Sequence, residues 1–163
     1  MYTLGIITSS DKGSKGERED KSGEVIKNIT EKCGFITKRY VVLPDEREEL
    51  ANEMKYMSDE IGVDLVLTTG GTGFSDRDIT PEATKDIIHK EALGIAEAIR
   101  NYSFTITKRA MLSRGTAGIR NKTLIVNMPG SPKACEEILD YILNDLKHGL
   151  DIMKGSASEC ARK

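Results

Sequence analysis

Short apolar runs alternate with amphipathic stretches along this chain. Residues 2–9 ("YTLGIITS"), 36–43 ("ITKRYVVL") and 64–69 ("DLVLTT") are brief and rich in apolar and β-branched residues, as buried strands are. Between them, apolar residues recur every three or four positions over 22–33, where Ser22 would cap a helix, and over 45–61. The first part of the chain therefore predicts strand, helix, strand, helix, strand.

The second half continues this alternation. Pro81 suits the first turn of a helix, and we expect one helix from there to about residue 101, interrupted at Gly94. "TLIVN" at 123–127 predicts another buried strand, and the apolar spacing from Pro132 onward predicts a long amphipathic helix. The alternation as a whole predicts an α/β fold with a mostly parallel sheet and helices on both faces.

The chain has the length of one domain. No repeat, linker or shift in composition divides its 163 residues. We expect a single domain over 1–155 and a flexible tail over 156–163. Ligands of such folds bind at the carboxyl ends of the parallel strands, so the loops there are where we expect a site.

Composition narrows the class of protein. With 24 Lys and Arg against 26 Asp and Glu, the charge predicts neither a nucleic-acid nor a membrane partner. The apolar runs are far shorter than the roughly 20 residues of a membrane span, and no signal peptide opens the sequence. Cys33, Cys135 and Cys160 are odd in number and lack C-x-x-C spacing, so we expect reduced thiols and a cytoplasmic protein.

The sequence "GGTG" at 70–73 lies between a predicted strand and a predicted helix. Backbone N–H groups in such a loop can converge on an anion, and the missing side chains permit close approach. Neither the Walker A nor the G-x-G-x-x-G pattern matches. A tight turn that relieves strain is the alternative, but Thr72, Arg77 and Asp78 nearby favour a loop that binds a phosphate ligand.

Two aspartates follow predicted strands, Asp45 after the second and Asp78 after the third. Both could face one crevice. Two carboxylates beside a polyphosphate suit Mg²⁺, which takes few protein oxygens and completes its shell with phosphate and water. The alternative is helix capping, which is ordinary for an aspartate just before a helix.

Three further segments carry residues suited to anions. "MPGSPKA" at 128–134 runs into the last helix, where free N–H groups and the helix dipole favour an anion. "LSRGTAG" at 112–118 offers a cationic and flexible approach to the same region, and "EDKSG" at 19–23 lies at another helix start. Each is also explained by a packing turn when taken alone. The candidate residues are Asp20, Ser22, Gly23, Ser113, Arg114, Gly115, Gly130, Ser131 and Lys133. We interpret the charged stretch 10–20 as a mobile solvated loop that could form a lid.

Together, "TTGGTGFSDRDITPEAT" at 68–84, "DKSG" at 20–23, "LSRGTAG" at 112–118 and "NMPGSPKA" at 127–134 resemble the MogA/MoaB family of molybdenum-cofactor biosynthesis, which includes the G domain of gephyrin. The resemblance runs from the first strand to the last helix. It implies a three-layer α/β/α fold and assembly as a homotrimer or, in MoaB-like members, a homohexamer. It also implies a molybdenum-insertion protein as a partner.

The resemblance further implies molybdopterin adenylylation. The terminal phosphate of molybdopterin, the substrate, attacks the α-phosphorus of the co-substrate MgATP, giving adenylyl-molybdopterin and pyrophosphate. The family's two functional aspartates fall on Asp45 and Asp78, which we expect to hold Mg²⁺ and orient the attacking phosphate, while Arg77 or Arg114 offsets phosphate charge. Substrate contacts are implied for Gly70, Gly71, Thr72, Gly73, Thr80, Pro129, Gly130, Ser131 and Pro132.

Two other functions stay open. A non-catalytic MoaB-type protein would hold molybdopterin in the same pocket for another enzyme, although intact Asp45 and Asp78 argue against this reading. A relative of the amino-terminal domain of CinA-like proteins would release AMP from ADP-ribose or a related dinucleotide, although "SRG" and "PGSPKA" favour the pterin enzyme. Molybdenum and tungsten pathways are both compatible with these motifs.

Overall fold

A six-stranded sheet forms the centre of the protein, as seen in a computed structural model that describes residues 1–156. The strand order is β2-β1-β3-β6-β5-β4. Parallel pairing joins β2, β1, β3 and β6, whereas β5 and β4 are antiparallel at one edge. The strands are β1 (Tyr2–Ser9), β2 (Phe35–Leu43), β3 (Leu65–Thr69), β4 (Lys90–Glu91), β5 (Ala117–Arg120) and β6 (Thr123–Met128).

Helices cover both faces of the sheet and complete a three-layer arrangement. They are α1 (Asp11–Ser14), α2 (Lys21–Lys32), α3 (Arg47–Lys55), α4 (Thr80–Lys85), α5 (Leu93–Ile106) and α6 (Pro132–Met153). A π-helical turn, Tyr56–Ile61, prolongs α3, and a 3₁₀ turn, Lys108–Leu112, follows α5. The predicted α/β fold class is confirmed.

Two apolar clusters fill the space between these layers. Successive side chains of a strand point to opposite faces, so Ile6 packs with α2 and α6 while Ile7 packs with α3 and α4. The same alternation holds in β3, where Leu67 belongs to the first cluster and Val66 to the second. Burial on both faces explains why these strands read as continuous apolar runs.

The single helix expected from Pro81 to about residue 101 is wrong. The chain leaves α4 after Lys85 and forms the edge strand β4 before α5 begins. Hydrogen bonds from His89 N to Ile119 O (2.8 Å) and from Ala92 N to Ala117 O (2.9 Å) satisfy this backbone. Pairing with a distant strand has therefore overridden the local helical pattern.

Two further predictions concern membrane spans and the end of the domain. Within residues 1–156, no helix is both long enough and apolar enough to cross a membrane. The tail predicted from residue 156 lies, from 157 on, outside the described residues. The single-domain boundary at 155 stays a prediction.

Core packing predicts a contrast between two positions of α6. Leu139 is completely buried, whereas Ile152 is 48% exposed. We expect Leu139→Ala to lower the free energy of unfolding by about 2–5 kcal/mol, because it leaves a cavity. Ile152→Ala is the control, with an expected change of about 0.5 kcal/mol or less. Urea unfolding of both variants measures the difference, and equal losses would contradict the assigned core.

Candidate functional site

A cavity of about 680 Å³ opens at the carboxyl ends of β1, β2, β3 and β6. Loops that follow these four strands contribute to its walls. Its lining residues are Thr8, Ser9, Ser10, Gly13, Arg18, Glu19, Asp20, Lys21, Ser22, Asp45, Thr69, Gly70, Gly71, Asp78, Gly130 and Pro132. A cavity thus lies where the sheet topology led us to expect a site.

The predicted site residues divide into two groups. Eight line the cavity, namely Asp20, Ser22, Asp45, Gly70, Gly71, Asp78, Gly130 and Pro132. Eleven lie outside the lining, namely Gly23, Thr72, Gly73, Arg77, Thr80, Ser113, Arg114, Gly115, Pro129, Ser131 and Lys133. Most of the second group contacts the loops that form the wall.

The glycine loop at 70–73 packs tightly against the end of β1 and the start of α4. Gly70 and Gly71 have positive φ angles of 89° and 66°. A Cβ on Gly70 would lie 2.5 Å from the carbonyl oxygen of Ser9, and a Cβ on Gly71 would lie 2.3 Å from Thr80 Oγ1. Thr80 donates from Oγ1 to Gly70 O and from N to Gly71 O, both at 3.0 Å. Packing therefore requires glycine here, and the same lack of side chains brings backbone to the cavity.

Asp45 lies between β2 and α3, with its carboxylate held from the end of β1. Ser9 Oγ donates to Oδ1 at 2.5 Å, and the N–H group of Asp11 donates to Oδ2 at 3.0 Å. The N-cap position of α3 is Glu46, so the capping explanation for Asp45 is wrong. Its carboxylate contributes to the cavity wall instead.

Asp78 lies beside Gly73, the last residue of the glycine loop. Its Oδ2 accepts a hydrogen bond from Ser75 N at 3.0 Å and lies 2.8 Å from the place of a Cβ on Gly73. The N-cap position of α4 is Ile79, without a side-chain cap, so capping does not explain Asp78 either. Asp45 and Asp78 thus reach one cavity from the loops after β2 and β3, the two strands that flank β1.

The guanidinium group of Arg77 binds two carboxylates of the protein. Its Nε donates to Asp11 Oδ2 at 3.0 Å and its Nη2 to Asp11 Oδ1 at 2.9 Å, with a further bond to Glu46 Oε1 at 2.8 Å. The hydrogen bonds from Arg77 lower the pKa of Asp11, and the bonds to Asp11 and Glu46 raise the pKa of Arg77. The predicted phosphate contact of Arg77 stays a prediction.

Arg114 braces the same glycine loop from β5's side of the sheet. Its Nε donates to Gly73 O at 2.7 Å, its Nη2 donates to Asp78 O at 2.6 Å, and its Nη1 pairs with Glu82. Hydrogen bonds from Arg114 hold the pKa of Glu82 below its usual range. The backbone N–H group of Arg114 donates to Thr72 O at 2.8 Å. The "SRG" motif is thus connected to the glycine loop through protein contacts, and its predicted substrate contacts remain predictions.

Hydrogen bonds between side chains and backbone also hold the residues on either side of Arg114. Ser113 Oγ accepts from Gly115 N at 3.3 Å, and Arg100 Nη1 donates to Gly115 O at 2.6 Å. These bonds fix the approach of the chain to β5.

Asp20 caps α2, where we expected Ser22 to do so. Its Oδ1 accepts from Gly23 N at 3.0 Å, while Thr8 Oγ1 donates to Oδ2 at 2.6 Å and the hydroxyl of Tyr40 donates to the same oxygen. Burial raises the pKa of Tyr40, and the bond to Asp20 raises it further, so the phenol remains a donor. The predicted substrate contacts of Asp20, Ser22 and Gly23 stay predictions.

The "PGSP" loop meets the glycine loop. A Cβ on Gly130 would lie 3.5 Å from Gly70 Cα, while Ser131 caps α6 by accepting from Ala134 N at 3.3 Å. Pro129 O accepts hydrogen bonds from Thr69 Oγ1 at 2.6 Å and from Cys135 Sγ at 3.1 Å. Lys133 is exposed at the start of the helix. Two loops that are distant in sequence therefore form one wall of the cavity.

Sequence reasoning missed the contribution of β1. Ser9, Ser10 and Gly13 line the cavity, although we interpreted 10–20 as a solvated loop. The structure folds Asp11–Ser14 into α1, with Ser10 Oγ accepting from Gly13 N at 2.9 Å. A serine directly after a buried strand and before an aspartate is an N-cap signal that could have revealed this turn.

The carboxylates fit a magnesium ion that arrives with its ligand. Among residues 1–156, no group of three His, Cys, Asp or Glu side chains is placed to hold a metal ion. Mg²⁺ commonly binds one or two carboxylates and takes its remaining oxygens from phosphate and water. Asp45 and Asp78 on one cavity match that donor set.

Fold and cavity together define an open-sheet α/β protein whose ligand pocket is built from glycine-rich loops and carboxylates. The family described as "Probable molybdopterin binding domain" matches residues 5–148. The molybdopterin adenylyltransferase of Helicobacter pylori (strain J99) is 39% identical over 162 residues, which cover 98% of this chain and 92% of that protein. The chain therefore belongs to the MogA/MoaB family of molybdenum-cofactor biosynthesis, which confirms the resemblance seen in its motifs.

Solved structures show the same relationship. The molybdopterin biosynthesis enzyme MoaB of Thermus thermophilus matches with a TM-score of 0.88 and 42% identity, over 95% of this chain and 98% of that one. The tungsten cofactor synthesizing protein MoaB of Pyrococcus furiosus matches with a TM-score of 0.85 and 37% identity, over 94% and 97%. Both alignments extend over nearly the whole described fold.

The packing of the glycine loop predicts the effect of a single methyl group. Gly71→Ala should lower the free energy of unfolding by about 1–3 kcal/mol, because alanine resists positive φ and its Cβ would meet Thr80. Gly94→Ala is the matched control, since Gly94 lies in α5 with nothing near its Cβ position, and there alanine should be neutral or stabilising. Thermal unfolding compares the two, and a Gly71→Ala protein as stable as Gly94→Ala would refute the assigned loop geometry.

Proposed function

We propose that this chain is a molybdopterin adenylyltransferase that transfers AMP from MgATP to the terminal phosphate of molybdopterin. An oxygen of the molybdopterin phosphate forms a bond to the α-phosphorus of ATP. The bond between the α-phosphorus and the bridging oxygen to the β-phosphate breaks, and pyrophosphate leaves with its electron pair. The reaction needs no oxidant, reductant or covalent enzyme intermediate.

The observation that carries this proposal is the meeting of Asp45 and Asp78 at one cavity. Neither aspartate caps a helix. Ser9, at the end of β1, donates to Asp45, and the N–H group of Ser75, in the same loop, donates to Asp78. Carboxylates fixed in this way, beside glycine loops, suit the binding of a metal–nucleotide complex. The cavity volume of about 680 Å³ lies in the range of small-molecule sites.

The chain's own residues would act mainly by positioning. Asp45 and Asp78 would hold Mg²⁺, which neutralises phosphate charge when bound. The loops at 70–73 and 129–132 would bring backbone close to the substrates. Cys135 is no candidate nucleophile, because burial raises the pKa of its thiol to about 11 and the thiol donates to Pro129 O. Direct transfer between two bound phosphates agrees with this arrangement.

The proposal includes the setting implied by the family. We propose a cytoplasmic homotrimer or homohexamer that passes its product to a molybdenum-insertion protein. Large apolar side chains around the end of α5, Phe104, Ile106 and Met111, are about half exposed or more, which supports self-association. Relatives are named for both molybdenum and tungsten cofactors, so the proposal concerns adenylylation and leaves the metal of the finished cofactor open.

A direct assay tests this function. Purified protein is mixed with molybdopterin, ATP and Mg²⁺, and pyrophosphate release is followed together with the adenylylated pterin. We expect Asp78→Asn and Asp45→Asn each to lower kcat about 100-fold or more, because charge stabilisation in the transition state is lost. Asp140→Asn, on the exposed face of α6, is the control and should retain activity.

The outcomes separate the candidate functions. Full activity in Asp78→Asn with an unchanged fold would overturn the assignment of that residue. Tight molybdopterin binding by the unaltered protein with neither product would instead support a non-catalytic, MoaB-type carrier.

A further inference from the structure

Asp11 connects the loops that follow three neighbouring strands. It lies in α1, after β1, and exchanges two hydrogen bonds with Asp45, which follows β2. Asp11 N donates to Asp45 Oδ2 and Asp45 N donates to Asp11 Oδ1, both at 3.0 Å. The same carboxylate receives the bidentate bond from Arg77, in the loop after β3. One side chain therefore fixes the relative position of all three loops.

We propose that Asp11 is a positioning residue for Asp45 and that Arg77 acts through Asp11. The proposal rests on the function proposed above, in which Asp45 holds the magnesium ion of MgATP. Asp11 itself has no assigned contact with substrate. Its task is to fix the backbone and the carboxylate orientation of Asp45 before the nucleotide arrives.

The hydrogen-bond pattern around Asp45 supports this role. Ser9 donates to one carboxylate oxygen and Asp11 N to the other, so both oxygens have a fixed direction. An ionised carboxylate has about four acceptor positions, and two of them remain for a cation or its water. The bond from Asp45 N to Asp11 holds the backbone of the same residue. Support of this kind for a ligand carboxylate typically affects metal affinity or activity 10–100-fold.

The small folding energy expected of the Arg77–Asp11 ion pair favours a role in positioning Asp45 over a role in stabilising the fold. The side chains of Arg77 and Asp11 are 52% and 35% exposed. Ion pairs as accessible as this one typically contribute about 1 kcal/mol or less to folding. Their rigid, bidentate geometry nonetheless restricts where the two loops can lie. Loss of the pair should therefore leave the fold intact while α1 loses its fixed position, and with it the Asp11 N–H group that orients the carboxylate of Asp45.

In this proposal Arg77 positions Asp11 and does not contact a phosphate. Its Nε and Nη2 both donate to Asp11, and Nη2 also donates to Glu46 at 2.8 Å. A role through Asp11 predicts that removing Arg77 has little further effect once Asp11 is gone. A direct phosphate contact predicts instead that the two effects multiply.

The experiment compares Asp11→Ala, Asp11→Asn, Arg77→Met and the double variant Asp11→Ala with Arg77→Met. Asp59→Ala is the matched control, because Asp59 forms a similar bidentate bond with Arg120 at the opposite end of the sheet. Calorimetry measures the Kd for MgATP and for ATP in EDTA, and the adenylylation assay measures kcat. Circular dichroism and thermal unfolding check the fold.

We expect Asp11→Ala to weaken MgATP binding and lower kcat, each by about 10-fold or more, and to change the Kd of metal-free ATP less than about 2-fold. Asp11→Asn should fall between the unaltered protein and Asp11→Ala, because its amide oxygen can still accept from Asp45 N but cannot form the ion pair. The double variant should resemble Asp11→Ala. The Asp59→Ala protein should bind MgATP normally.

Three results would overturn the proposal. Normal MgATP binding in Asp11→Ala would show that Asp45 needs no support from the side chain of Asp11. An equal loss of MgATP and metal-free ATP binding would show a role unconnected with the metal. Multiplying effects of Asp11→Ala and Arg77→Met would make Arg77 an independent contact.

The binding measurements also separate this proposal from the proposed function. They need no turnover, so a protein that prefers MgATP but forms no adenylylated pterin would remove the catalytic proposal and still test Asp11. An unaltered protein that binds metal-free ATP as well as MgATP would overturn the Asp11 proposal, while product formation would still decide the proposed function.

Discussion

The parallel pairing of β1 with β2 and β3 is the constraint on which the site depends. In this register Ser9 lies opposite Leu43 and Thr8 lies opposite Thr69, so the three strands end at the same edge of the sheet. Every loop that leaves this edge begins within reach of the others. The apolar clusters on both faces hold the strands in that register, since a one-residue slip would exchange the side chains that now pack in the two clusters. The cavity is thus a consequence of how the core packs.

Polar contacts between the loops turn this edge into a defined pocket. Asp45 lies near Gly71 and Asp78 near Gly73 of the glycine loop, and two arginines join this region to its surroundings. Arg77 reaches towards α1, while Arg114 reaches from the segment before β5 and holds the carbonyl group of Asp78. The arrangement is built largely from charge-assisted hydrogen bonds, which are directional and short. Such bonds suit a site whose proposed task is to hold phosphates in one orientation.

Much of the fold could be predicted because its signals are local. The apolar runs of β1, β3 and β6 and the periodicity of α6 lie within single segments, and the structure has them close to the predicted bounds. The incorrect predictions have one physical cause, because contacts with residues distant in sequence determined the local structure. Residues 89–92 bond to β5 and leave the helical path, and Asp20 caps α2 because its carboxylate also binds Thr8 and Tyr40. The predicted site was incomplete for the same reason. The part that α1 plays depends on contacts of Asp11 with Asp45 and Arg77, which are distant from it in sequence.

The sequence by itself determined the class of fold, the family and the loops from which the pocket is built, because strand and helix periodicity and the family's motifs are contiguous in the chain. Only the tertiary structure decided which groups the side chains of those loops contact. It brought Asp45 and Asp78 to one cavity without a capping role, and it turned Arg77 and Arg114 towards carboxylates and carbonyl groups of the protein. Hydrogen bonds between residues 30 or more positions apart depend on strand order and register, which no local pattern specifies.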